Sequence, residues 1–107
     1  MLFRSPVVGT DGLREFTRVM IGNELTMNVA AAELDILDAG RTLLGKYSDI
    51  GAIVLECTNM VPYARTLREA LGVPVYDIYS FITWFHAGLA PRDFGHPGRN
   101  TRAWRER

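Results

Sequence analysis

The sequence has a single cysteine, Cys57, so no disulfide can form within the chain and a zinc site built of several thiolates is excluded. A reducing, cytoplasmic setting is expected from that scarcity. No apolar run approaches the length needed to span a bilayer. The opening MLFRSPVVG lacks the extended apolar stretch and small-residue cleavage site of a secretory leader, so no membrane association is expected. Net charge is also absent, with 12 basic residues against 12 acidic ones. The balance is uneven: residues 1 to 90 hold 7 basic and 10 acidic side chains, while 91 to 107 hold 5 Arg and 2 acids. The basic tail PRDFGHPGRNTRAWRER could contact phosphates through its Arg residues, with Trp104 stacking on a base. A terminal run of Pro, Gly and Arg is more simply a frayed, solvated end, and no nucleic-acid partner is expected. What remains, 107 residues of which 48% are hydrophobic, is the composition of a folded chain with a modest core.

Along the chain, Pro6, Gly9 and Gly12 bracket Val7 and Val8, a brief strand or extended entry ending in the turn Thr10-Asp11-Gly12. From Leu13 the apolar spacing turns helical, with Phe16, Val19 and Met20 on one face up to Gly22-Asn23. A second helix is expected from a cap at Thr26 or Asn28 through Leu44, ending at Gly45. The unbroken apolar run Gly51 to Leu55 fits a strand buried on both faces, as in a parallel sheet. A helix from about Pro62 follows, with Leu67, Ala70 and Leu71 inward and Gly72 as its stop. Next come a strand from Val73 to Ile78 and a helix Phe81 to Leu89 capped by Ser80, broken ahead of Pro91. Elements alternating in this way indicate an α/β domain with a mainly parallel sheet.

Ligands of open parallel sheets bind beyond the carboxyl ends of the strands. Cys57 sits there, between the run ending at Leu55 and the next helix, where amide N–H groups and a helix dipole would favour a thiolate. The Thr58 hydroxyl and Asn59 amide beside it offer hydrogen bonds to a carboxylate. Equally, a free Cys often only fills space in a core. Asp77, at the end of the following strand, faces the same crevice or acts as a helix cap. A Cys57, Asp77 and His86 triad is disfavoured, because His86 lies within the last helix. Glu56 should point away from Cys57. Tyr63, Tyr76, Tyr79, Trp84 and Phe85 cluster near this end of the sheet, as core or as a partner surface.

The segment GAIVLECTNMVPYARTLREALGVPVYDIYSFITWFHAGL, residues 51 to 89, resembles the second catalytic segment of the aspartate/glutamate racemase superfamily, in particular its hydantoin-racemase-like branch. The likeness lies in an apolar strand, Cys-Thr and a polar residue, a helix, a Pro-led strand ending near Asp, and a closing helix. It extends more loosely upstream to about residue 5. The resemblance implies a two-lobed protein, free of metal or other cofactor, whose two thiols work on opposite faces of a carbon next to a carboxyl or carbonyl. Cys57 then resembles the second-lobe acid/base, Thr58 a substrate-holding neighbour, and Asn59 departs from the Glu or His usual in relatives.

The expected fold class is α/β, a partial three-layer flavodoxin-like lobe with a short, mainly parallel sheet. Residues 1–90 form the incomplete second lobe and 91–107 the basic tail. The expected catalytic residue is Cys57, with Thr58, Asn59 and Asp77 binding a small carboxylate or hydantoin-like substrate. No second thiol exists, so a truncated racemase half is expected to be inactive alone and to need a companion amino-terminal lobe. The alternatives are a non-catalytic binding or homodimerising module and a one-base enzyme resembling arylmalonate decarboxylase.

Overall fold

In the computed structural model, residues 5–10, 12 and 14–95 are described. They form α1 (Glu15–Gly22), α2 (Val29–Lys46), β1 (Ile53–Val54), a 3-10 helix (Thr58–Tyr63), α3 (Ala64–Leu71), β2 (Val75–Tyr76) and α4 (Ile78–Leu89). The architecture is mainly helical with a short two-stranded parallel sheet, a small α/β arrangement. Asp11 and Leu13, which entered the expected first turn and helix start, lie outside the described residues, as do residues 96–107 of the basic tail.

α1 turns Phe16 and Val19 inward and stops where Asn23 takes a left-handed conformation (φ 50°), one that Asn tolerates better than most side chains. Of the two possible caps for α2, Asn28 is the one used: its side chain accepts from the Ala31 N–H at 3.1 Å. Two contacts tie α1 to α2. The Asn28 N–H donates to Glu15 Oε1 at 2.8 Å, and the Phe16 N–H donates to Asp35 Oδ2 at 3.0 Å.

β1 and β2 pair in parallel, Ile53 opposite Val75 and Val54 opposite Tyr76. The Ile53 N–H donates to Pro74 O, and the Leu55 N–H to Tyr76 O, each at 2.8 Å. One face of this sheet is covered. Ile53 and Leu55 point into a core shared with Phe16, Ala32, Ile36, Leu37, Tyr63 and Leu67. α2 and α3 meet over it so closely that a Cβ placed on Gly40 would lie 2.7 Å from Leu71 Cδ1 and 2.9 Å from Leu67 Cδ2. Glycine is what lets the helices approach there. The other face is bare: Val54 is 69% exposed.

Five expectations need correction. Val7 and Val8 form no strand; two residues between Pro6 and Gly9 have too little length to pair when no neighbouring strand lies alongside. A 3-10 helix occupies residues 58–63, so α3 starts at Ala64 rather than near Pro62. α4 begins at Ile78, and its cap is Asp77 rather than Ser80, because the two residues form a reciprocal capping box that places Ser80 inside the first turn. Ala70 is exposed although it lies one turn from the buried Leu67, because the core surface that covers Leu67 does not extend over it. The unbroken apolar run 51–55 suggested burial on both faces, yet Val54 shows that only one face is filled.

Candidate functional site at the carboxyl edge of the sheet

Because Leu55 hydrogen-bonds to Tyr76 across the parallel pair, both strands end at the same level. Their next residues therefore leave one edge together, Cys57 through Asn59 from β1 and Asp77 from β2. The 3-10 helix and α4 pack against each other. Cys57 has extended backbone (φ −86°, ψ 129°) ahead of that 3-10 helix, and its carbonyl accepts from the Met60 N–H at 3.0 Å. The thiol is half-buried, touching the core on one flank without being sealed within it. Thr58 and Asn59 are exposed beside it, as is Glu56. The α-helix that was to orient its dipole at Cys57 begins only at Ala64, with the 3-10 helix Thr58–Tyr63 in between.

Asp77 is buried, and its carboxylate is committed to the helix cap: Oδ1 accepts from the Ser80 N–H at 2.8 Å while Ser80 Oγ accepts from the Asp77 N–H at 2.9 Å. The structure thus brings Cys57, Thr58, Asn59 and Asp77 to one edge, with Asp77 shaping that edge. His86 sits in the last turn of α4, exposed, well along the helix from Asp77. Of the expected aromatic cluster only Tyr63 enters the core, edge-on to Phe16 at 6.3 Å between ring centroids. Burial, and secondly the charge of Glu33, pushes its phenol above the ordinary range. Tyr76, Tyr79, Trp84 and Phe85 are exposed.

Sequence reasoning passed over a second polar group of residues. Arg14 pairs with the buried Asp35 at 2.8 Å and with Asp38 at 2.9 Å, beside a shallow cleft of about 240 Å³ also lined by Val8, Gly9, Thr10, Ala39 and Thr42. The hydrogen bond to Asp38, and then the charge of Asp35, raise the Arg14 pKa. The available signal was Asp35 and Asp38 three apart on one helix face. Glu33 accepts from the Thr66 hydroxyl at 2.6 Å, a polar tie between α2 and α3. Among the described residues, no group of three or more His, Cys, Asp or Glu side chains is placed to hold a metal ion, and no helix is long and apolar enough to cross a membrane.

Three proteins named dimethylsulfoniopropionate lyase are similar to this chain. The chain is 29% identical over 83 residues to the dimethylsulfoniopropionate lyase of Durusdinium sp. clade D, a match covering 78% of this chain and 27% of that protein. It is 29% identical over 84 residues to dimethylsulfoniopropionate lyase 5 of Emiliania huxleyi, covering 78% of this chain and 16% of that protein. Dimethylsulfoniopropionate lyase 7 of the same alga is 30% identical over 87 residues, covering 78% and 25% respectively. The chain therefore spans about a quarter or less of the length of these relatives. No family model and no solved structure matches. A span of 83 residues in a chain of 107 cannot begin after residue 25 or end before residue 83, so the first match includes Cys57, Thr58, Asn59 and Asp77.

These relatives overturn the expectation of an aspartate/glutamate/hydantoin racemase-type protein, and with it the isomerase reaction. The physical reason is that an apolar strand, Cys-Thr, a helix and a Pro-led strand describe where a scaffold puts a thiol. They do not specify the reaction performed there. The expected inactivity also lapses, because it followed from a racemase's need for two bases. Neither alternative, the non-catalytic module or the arylmalonate-decarboxylase-like enzyme, gains support from these matches.

Proposed function

We propose that this chain carries part of a dimethylsulfoniopropionate-lyase-like site, with Cys57 as the base and Thr58 and Asn59 holding the substrate carboxylate. The similarity to three proteins of that name, over a span that takes in the strand-edge residues, carries the reading. The substrate class is a small zwitterion, a carboxylate at one end and a dimethylsulfonium at the other. Its cleavage asks little of a protein in redox or metal chemistry. A thiolate takes a proton from the carbon next to the carboxylate, and the released C–H electron pair becomes the new carbon–carbon double bond. The C–S bond breaks with its electrons going to sulfur, which leaves as neutral dimethyl sulfide. Acrylate and a protonated thiol remain.

The sheet edge supports this assignment. A half-buried thiol has an apolar flank that suits the sulfonium methyl groups and an exposed flank where Thr58 and Asn59 meet solvent. Asp77 serves in this reading as a positioning residue, ordering the start of α4 against the 3-10 helix that carries Thr58 and Asn59. The reading extends to the fold as a flavodoxin-like lobe, supported by parallel strands with α2 and α3 together on one face.

The test is incubation of the full chain with dimethylsulfoniopropionate in deuterated water. Headspace dimethyl sulfide and deuterium at the carbon beside the carboxylate are followed together. Either signal should appear with the wild-type chain and fall about 10²- to 10⁴-fold in Cys57→Ala, the range for losing a positioned base. Absence of both signals from the wild type overturns the lyase reading. Full activity in Cys57→Ala overturns Cys57 as the base.

A further inference from the structure

α4 contains no Asp, Glu, Lys or Arg, and none of its residues is buried. Ile78, Phe81, Ile82, Phe85 and Leu89 recur at the spacing of one helical face, and they are 42% to 71% exposed. Trp84, 72% exposed, lies alongside. The aromatic rings on this face already rest on one another, Phe81 at 6.4 Å from Phe85 in a stacked pair and at 6.3 Å from Trp84. Two residues upstream of the helix, Tyr76 continues the apolar surface onto the uncovered face of the sheet, next to Val54. Ser80, Thr83 and His86 lie on the other side of the helix, and an apolar face of this width ordinarily lies against a partner surface.

With residue areas of about 150–250 Å² per aromatic, these half-exposed side chains present apolar surface on the order of 800 Å². That is more than soluble monomers ordinarily leave open and about one partner's share of a standard interface. What covers it must be apolar and uncharged. The chain's own residues 96–107, HPGRNTRAWRER, contain four Arg and one large apolar side chain, the wrong chemistry for an uncharged helix. A lipid surface is matched by a helix with a basic polar face, which α4 lacks. A second copy offers an identical uncharged face, and an isologous pair of such faces closes on itself. We propose that the chain forms a twofold homodimer in which α4 of each copy packs against α4 of the other, with Tyr76 and Val54 at the border.

Sedimentation equilibrium of the full chain from 1 to 100 µM, with Trp84→Glu and Phe85→Glu in parallel, tests this. The wild type should sediment at twice 12.0 kDa, and each variant should dissociate at least 100-fold more readily while keeping its far-ultraviolet circular dichroism. The substituted positions are exposed in the single chain, so monomer folding is not at stake. A wild-type monomer throughout the range overturns the proposal. So does open-ended association, a dimer that both variants leave intact, or flotation of the wild type with neutral phosphatidylcholine vesicles in preference to self-association.

Discussion

α3 and α4 invite comparison, since each follows a two-residue parallel strand, β1 and β2 respectively. α3 is the more polar, carrying Arg65, Arg68 and Glu69 outward, and it buries Leu67 to 1% exposure against α2. α4 has far more apolar surface yet has no fully buried residue, its large apolar side chains staying 42% to 72% exposed. Hydrophobic content thus fails to predict burial within one chain. What decides is whether an opposing surface exists, and α3 has one because Gly40 lets α2 come near.

The contrast can be broken most sharply in a Trp84→Glu background, expected to be monomeric. Leu67→Ala there should cost about 2–5 kcal/mol in urea unfolding, the toll of a cavity at a buried leucine. Phe81→Ala, a larger truncation at an exposed site, should change stability by about 0.5 kcal/mol or less. If Phe81→Ala matches Leu67→Ala, α4 is packed within the single chain and the comparison fails.

A smaller effect is expected at the head of α4. Asp77→Ala should lower stability by about 1 kcal/mol and reduce helicity, whereas Asp77→Asn, an equally good cap, should be tolerated. In the lyase assay the same pair separates positioning from substrate contact. Activity kept in Asn and reduced in Ala marks a cap, and activity lost in both marks a carboxylate that meets the substrate.

The smallest effect concerns the α1 to α2 tie, remote in sequence from α4. Glu15 is held below the ordinary carboxylate range, first by the Asn28 N–H and then by Arg18. Its folded pKa is lower than its unfolded one, so its contribution is fully present above the unfolded value. That contribution is lost as pH falls through the folded value. Thermal melts taken from pH 7 down to 3 should show Glu15→Gln losing less stability on acidification than the wild type. Equal slopes would remove Glu15 from the acid response.

Much of the local structure was legible. The apolar spacing of Phe16, Val19 and Met20, the Asn28 cap, the Gly72 stop with φ 75° and the end of α4 at Leu89 all follow from short-range rules. The placement of Cys57, Thr58, Asn59 and Asp77 at one sheet edge was legible too, because parallel strands of similar level must end together. The cap at Asp77 was misread as Ser80 because the two residues satisfy each other, and a reciprocal box looks the same from either end until the backbone is seen. The Arg14, Asp35 and Asp38 network was invisible for another reason. It joins residues some twenty apart, and only the packing of α1 on α2 brings them within reach. The racemase expectation failed because a spacing pattern locates a thiol without saying which bond it attacks; relatives named dimethylsulfoniopropionate lyase overturned it.

By itself, then, the order of residues determined where helices start and stop, that the two strands run parallel, and which end of the sheet bears the thiol. These follow from rotational period, capping and the length of a crossover, all local quantities. Only the tertiary structure decided that one face of the sheet is filled and the other bare, that Asp77 spends its carboxylate on a cap, and that the most apolar helix is the least buried. Burial is a property of two surfaces meeting, and no single stretch of chain contains both.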